Sequence, residues 1–232
     1  MDFSIRSTQE EMMDQPIEDK EVLFQNLKEL EFINRFTGGP VHGFAAIKKM
    51  IPKGTQEVHI ADIGYGAGDM LAYIIDHIDQ LPCKVKLTGI DLMPEALEYV
   101  QKAHPSLPSQ VTFETCDYQD WFAQGHTPDI VHAGLFCHHL KDQQLVTFLR
   151  QAHQHSKLGI IINDLERSPV AYYNIKVLTQ LFSRSAFTKN DAPVSVLRGF
   201  KKKEWEAYFR EAGIPDYSIK WKWAFRHLIT IS

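Results

Sequence analysis

Between Val58 and Asp164, short apolar runs rich in β-branched residues alternate with stretches whose apolar positions recur every three or four residues. Val58–Ile63, Val85–Asp91, Val111–Cys116, Asp129–Gly134 and Gly159–Asp164 read as strands, because buried parallel strands appear as short continuous apolar runs. Between them, Asp69–Ile78 places Met70, Leu71, Ile74, Ile75 and Ile78 on one side of a helix. Pro94 opens a second helix that continues over Glu95–Ala103, and Lys141–His155 is a third. Proline suits a first helical turn, where its missing N–H has no partner to lose. This alternation predicts an α/β fold: a parallel sheet with helices on both faces and right-handed crossovers. Ligands of such sheets bind at the carboxyl ends of the strands. The residues just after each strand are therefore the ones to examine.

The flanks read differently. In residues 1–55, Leu23, Leu27, Leu30 and Ile33 recur at helical spacing, and Thr37-Gly38-Gly39-Pro40 breaks the helix. This part reads as an N-terminal helical cap on a main domain over 56–232. After Asp164, the positions Val170, Tyr173, Val177, Leu178, Leu181 and Phe182 predict an amphipathic helix. A polar connector over Ser183–Asp191 follows, then Pro193–Phe200, a helix over Glu204–Ala212, and two further strand-like runs.

Composition narrows the class. The chain has 232 residues, 44% hydrophobic and 23% charged, which excludes disorder and coiled coil as whole-chain descriptions. Its longest aliphatic run, Ile160–Ile162, is far short of the ~20 apolar residues that span a bilayer. With 25 basic and 29 acidic side chains the net charge is −4, so nothing draws nucleic acid or an anionic membrane from a distance. The run Lys201-Lys202-Lys203 reads as a solvated helix start. Met1–Glu21 has neither the basic nor the apolar region of a secretory signal. Cys83, Cys116 and Cys137 form no CxxC pair, which fits a reducing compartment. A cytoplasmic location is the expectation.

The turn after the first strand is Asp62-Ile63-Gly64-Tyr65-Gly66-Ala67-Gly68, with glycines at i, i+2 and i+4. A dinucleotide fingerprint needs its third glycine at i+5, which here is Asp69. Glycines let the backbone turn sharply and approach a ligand closely. The second strand ends in Asp91, a carboxylate able to accept both hydroxyls of a ribose. The third ends at Asp117-Tyr118 and the fourth at Gly134-Leu135, followed by Phe136-Cys137-His138-His139. Four such motifs in this order resemble the class I S-adenosylmethionine-dependent methyltransferases. The stretch Asn163–Phe200 is also similar to bacterial small-molecule methyltransferases encoded near polyketide-synthase genes.

The resemblance implies a doubly wound, Rossmann-like, mostly parallel seven-stranded sheet with helices on both faces and a helical lid. It implies S-adenosylmethionine as cofactor, held by Asp62, Gly64, Tyr65, Gly66 and Gly68 around the methionine part, Asp91 at the ribose, and Leu92, Asp117 and Tyr118 at the adenine. Gly134 and Leu135 would line the methyl-donor channel. The cap and a lid insertion at 165–200 would roof a small-molecule acceptor, with aromatic residues Phe36, Tyr172, Tyr173, Phe182 and Phe187 and cations Arg35, Arg167 and Arg198. Arg35 is assigned to the cofactor carboxylate.

The turn after the fourth strand lacks the Asn/Asp-Pro-Pro-aromatic sequence of amino-methylating relatives, which argues against nucleic acid as acceptor. No metal is expected, since Asn163-Asp164 has no partner carboxylate there and His153/His155 has no third ligand. The expected reaction is O-methylation of a phenolic or polyketide-derived acceptor with His138 or His139 as base. C-methylation of a quinol-like ring and a non-catalytic partner subunit are the alternatives, and a homodimer is compatible with either.

Overall fold

The computed structural model describes residues 2–15 and 19–232. Of the polar opening stretch Met1–Glu21, Met1 and residues 16–18 lie outside the described residues. The strands are β1 (Glu57–Ile63), β2 (Lys84–Asp91), β3 (Thr112–Thr115), β4 (Ile130–Gly134), β5 (Gly159–Leu165), β6 (Tyr217–Lys222) and β7 (Arg226–Ile231). The helices are α1 (Lys20–Phe36), α2 (Gly39–Met50), α3 (Asp69–Asp76), α4 (Pro94–Ala103), α5 (Tyr118–Ala123), α6 (Asp142–His155), α7 (Pro169–Phe182), α8 (Ala186–Arg198) and α9 (Lys202–Ala212). The sheet order is β3-β2-β1-β4-β5-β7-β6, with β7 antiparallel to both neighbours and every other pair parallel.

Both sheet faces are covered, as the apolar runs require. Ala61, Ile63, Val131, Ala133, Ile160 and Ile162 point toward α5, α6 and α9, where Phe148, Trp121, Trp205 and Phe209 complete one core layer. Val58, Ile60, Leu87, Ile130 and Ile161 face α2, α3 and α4 in the other, with Phe44, Ile47, Leu71, Ile74 and Val100. The strand order reverses between β1 and β4, so a crevice opens where the two connections diverge. One polar pair sits at the crevice floor. Asp62 and His132 are register partners on β1 and β4, both buried, with Oδ1 and Nδ1 2.6 Å apart.

The helices α1, α7 and α8 and the N-terminal arm (residues 2–15) close over the carboxyl edge of the sheet. Two expectations fail here. Residues 183–191 are not a free connector: α8 begins at Ala186, with Ser185 as its cap accepting from Thr188 N, and runs through Pro193. Burial of Thr188, Asp191, Ala192, Val194, Val196 and Leu197 stabilises it against the hydrogen bond the proline removes. The apolar stripe of α7 also does not simply face inward. Val170, Tyr173, Val177, Leu178, Leu181 and Phe182 are all exposed, and the buried residues are Ala171, Tyr172 and Thr179.

The arm is fastened by buried polar groups. Met12 N and Met13 N donate to the Asp191 carboxylate at 2.8 and 3.1 Å, and Ser7 N donates to Leu197 O at 3.0 Å. Arg6 donates to the carbonyls of Arg198, His138 and Leu140. Arg167, expected among the roof cations, is buried below the roof, donating to Gly199 O at 2.6 Å and Phe3 O at 3.1 Å and pairing with Glu204. Arg167→Met leaves these buried carbonyls unmet. It is expected to lower stability by about 3 kcal/mol, read as a clear drop in the urea midpoint, while Glu204→Gln costs less. An unchanged midpoint for Arg167→Met would show the arm and α9 to be held by packing alone.

Candidate functional site

The turn after β1 is a bare cradle. Gly64, Gly66 and Gly68 have φ of 68°, 50° and 77°, a left-handed region that other residues enter only with strain. A Cβ on Gly64 would meet the Phe136 ring at 2.4 Å, and one on Gly68 would meet Val100 at 2.8 Å. Above Gly66 nothing lies nearer than Gly64 O at 4.0 Å, so this backbone faces open space. Asp91 fixes the loop from the side: its two oxygens accept from Gly66 N and Met93 N, each at 2.9 Å. Burial pushes the Asp91 pKa up, and these two N–H groups oppose it. Each oxygen retains a free lone pair, and Asp91 lines the cavity above.

That cavity has a volume of about 1670 Å³, beyond the ~300–1,000 Å³ usual for one ligand. Gly64, Tyr65 and Gly66 form part of its floor. Leu92, Asp117 and Tyr118 line the β2–β3 side, and Gly134 and Leu135 the β4 side. Asp117 accepts from Gln119 N at 2.7 Å as the cap of α5. Tyr118 is buried edge-on against Phe136 and Phe148. Leu135 has φ 53°, a conformation costly for a branched side chain and typical of functional turns.

The cavity has two polar poles. The first lies beyond the glycine loop. Asp69 accepts from Asn34 Nδ2 at 2.6 Å, and burial raises its pKa to about 6. Arg226, at the start of β7, is buried, and burial lowers its pKa to about 10. Its Nη2 donates to Thr37 Oγ1 at 2.8 Å, while Nε and Nη1 have no partner in the protein. A carboxylate and an unsatisfied guanidinium at one end of a cavity suit a ligand end that carries both charges.

The second pole is the one-turn 3-10 helix Cys137–His139. His138 Nδ1 lies 2.7 Å from Asp164 Oδ1, and His138 N donates to the other Asp164 oxygen at 3.2 Å. With Nδ1 so engaged, Nε2 is the free nitrogen, and it lies 3.7 Å from Glu11 Oε1 on the arm. His139 Nδ1 meets Asp14 Oδ1 at 2.8 Å. Arg198 fastens the turn from α8, donating to His138 O at 2.9 Å, His139 O at 2.7 Å and Asp14 Oδ2 at 2.6 Å. Burial alone would raise Asp164 and Asp14, but His138 outweighs it for Asp164, and His139 with Arg198 holds Asp14 well below the usual carboxylate range. For His139, burial opposes the charge, but Glu11 and Asp14 raise its pKa on balance.

Residues 60–159, which contain the glycine loop, Asp91 and the histidine turn, match a family model described as a methyltransferase domain. Over that segment the chain resembles a methyltransferase domain. Solved structures agree on the fold. Human N-acetylserotonin methyltransferase, in complex with S-adenosylmethionine, is similar over 94% of this chain and 60% of its own, with TM-score 0.61 and 19% identity. The plantazolicin methyltransferase BpumL, in complex with S-adenosylhomocysteine, is similar over 87% and 78%, with TM-score 0.60 and 19% identity. The CurJ carbon methyltransferase is similar over 83% and 53%, with TM-score 0.59 and 14% identity. The chain thus spans less than two thirds of the human enzyme and of CurJ. A comparison with curated proteins finds no match.

Most residues singled out in the sequence converge on the cavity. Asp62 and Gly68 stand behind the loop: Asp62 is engaged by His132, and Gly68 caps α3. Arg35 is a correction. It pairs along α1 with Glu31 at 3.4 Å, more than half exposed, and does not line the cavity. The cation at that end is Arg226, which no local pattern marked. Of the expected roof aromatics, Phe36 and Phe182 line the cavity, whereas Tyr172, Tyr173 and Phe187 do not. Glu11 and Asp14 carry no signal in the sequence, because the arm has no periodicity. Among the described residues, Glu11, His138 and His139 alone offer three groups at metal-like separations.

The raised His139 pKa has a consequence for stability. Its contribution is fully present below the unfolded value, about 6.5, and is lost as pH rises through the folded value. The urea midpoint should therefore fall as pH rises above about 6.5, and His139→Gln should flatten that decline. An equal decline in both proteins would place the titrating group elsewhere.

Proposed function

We propose that this protein transfers a methyl group from S-adenosylmethionine to an oxygen of a small aromatic acceptor. The observation that carries the cofactor assignment is the unsatisfied, buried Arg226 guanidinium beside Asp69, at the end of a glycine cradle whose other side is Asp91. The cofactor's amino-acid end carries a carboxylate and an ammonium, its ribose two hydroxyls and its adenine an amino group. Arg226 and Asp69 match the first, the free lone pairs of Asp91 the second, and Asp117 the third, with Leu92 and Tyr118 along the ring. Bound S-adenosylmethionine supplies an electrophilic methyl group on a sulfonium, whose sulfur leaves with the bonding pair.

The protein's own work is alignment and removal of one proton. Orientation can lower such a barrier by about 7–11 kcal/mol, whereas a general base contributes about 10²–10⁴-fold, or roughly 3–5 kcal/mol. His138 Nε2 takes the acceptor's proton, and Asp164 holds the ring in the tautomer that leaves Nε2 free and stabilises the imidazolium that forms. Aromaticity of the acceptor is supported by Phe36, Phe182 and Phe136 in the cavity wall. C-methylation of a quinol-like ring would use the same base, and analysis of the product separates the two.

Calorimetry with S-adenosylhomocysteine tests the cofactor site. Asp91→Ala and Arg226→Met should each weaken binding by roughly 10- to 100-fold. Wild-type affinity should fall as pH drops through about 6, where Asp69 becomes neutral and ceases to attract the ammonium, and Asp69→Asn should lose this dependence. Binding of NAD with no response to S-adenosylhomocysteine would sink the reading. A phenol series tests the base. His138→Ala should slow weakly acidic phenols by about 10²–10⁴-fold and leave already ionised ones nearly unaffected. A uniform loss across the series would mean that the ring only positions the acceptor.

A further inference from the structure

At the histidine pole, hydrogen-bond acceptors meet with no donor between them. Glu11 is 2% exposed, and its Oε1 has no hydrogen-bond partner. The nearest nitrogen of Arg198 is 3.9 Å away and is already engaged by His138 O at 2.9 Å. Facing it at 3.7 Å is His138 Nε2, which carries a lone pair when the ring is neutral and donates from Nδ1 to Asp164. Glu11 has no freedom to swing toward water, because the next two backbone N–H groups are bound by Asp191 and Asp14 is clamped by Arg198 and His139. A buried, unpaired carboxylate oxygen is costly. It persists at a binding site when the ligand brings the missing donor.

With His138 neutral, a single hydroxyl cannot satisfy this pair. It has one proton, and two acceptors 3.7 Å apart both require one. Two hydroxyls on adjacent carbons present two donors side by side, one toward Nε2 and one toward Oε1. One stretch of the cavity wall away from the cofactor cradle is apolar, formed by Leu30, Ala171, Ile175, Leu178, Phe182 and Val196. We propose that Glu11 is an acceptor-positioning residue that receives a second hydroxyl, so that the acceptor is an aromatic ortho-diol bearing an apolar substituent. This deepens the methyl-transfer reading and rests on it. The hydroxyl on His138 Nε2 is the one methylated, and the one on Glu11 holds the ring in register. The mono-methylated product has lost one of its two donors, which favours release.

The test is calorimetry on the full chain, saturated with S-adenosylhomocysteine and with EDTA present throughout. The probes are a 4-alkylcatechol and its two mono-methyl ethers, against wild type, Glu11→Gln and Glu11→Ala. Wild type should prefer the diol over either ether by at least about tenfold. Glu11→Gln should reduce that preference and Glu11→Ala abolish it, both with unchanged S-adenosylhomocysteine affinity, which certifies their fold. Equal affinity for diol and ethers in wild type overturns the inference, as does a preference that survives in Glu11→Ala. Diol binding that is absent in EDTA but appears in a parallel titration with zinc in place of EDTA also overturns it, since Glu11, His138 and His139 would then be metal ligands. Failure of S-adenosylhomocysteine to bind would instead count against the cofactor assignment, so the two failures are distinguishable.

Discussion

Asp164 is fully buried at the end of a central strand, and much of the carboxyl edge follows from that one desolvated charge. A buried carboxylate is tolerated only when its oxygens are met by donors. Here they accept from His138 Nδ1, His138 N and Leu165 N, which forces the chain after β4 into a tight turn. The turn leaves the carbonyls of His138, His139 and Leu140 without partners in the sheet. Arg198 from α8 and Arg6 from the arm supply the donors. Those arginines require α8 to be a helix in this place and the arm to cross it. Glu11 and Asp14 reach the cavity as a result. The lid and the arm are therefore extensions of the satisfaction of one charge, and the catalytic geometry proposed for His138 shares its origin with them.

The central sheet was legible because its strands are buried on both faces, so each reads as an apolar run bounded by a turn. The glycine loop and Asp91 were legible for a local reason too: a left-handed backbone at positions 64, 66 and 68 calls for glycine where it stands. Arg226 was not legible. Its meaning comes from contact with Thr37, from the burial of its two unpartnered nitrogens, and from the antiparallel placement of β7, none of which leaves a mark near residue 226. Arg35 illustrates the converse. It sits in the right segment, but α1 turns it toward Glu31, one helical turn earlier. The error in α8 has a different cause. Pro193 and the polar start of the segment argue against a helix locally, and long-range burial overrides that preference.

The two poles of the cavity are complementary in what they lack. At the Arg226 end a cation lacks an acceptor, and at the Glu11 end acceptors lack a donor. Had these groups been within reach, the chain would satisfy itself and the cavity would close. Arg226 rides on β7, fastened to Thr37, whereas Glu11 is held by α8 and faces the turn after β4, and β5 with Asp164 runs between those two strands. A ligand set that fills the cavity must therefore carry an anion at one end and donors at the other. One molecule the size of the cofactor cannot do both in a volume of about 1670 Å³, which is why the geometry points to two ligands meeting between Gly66 and His138.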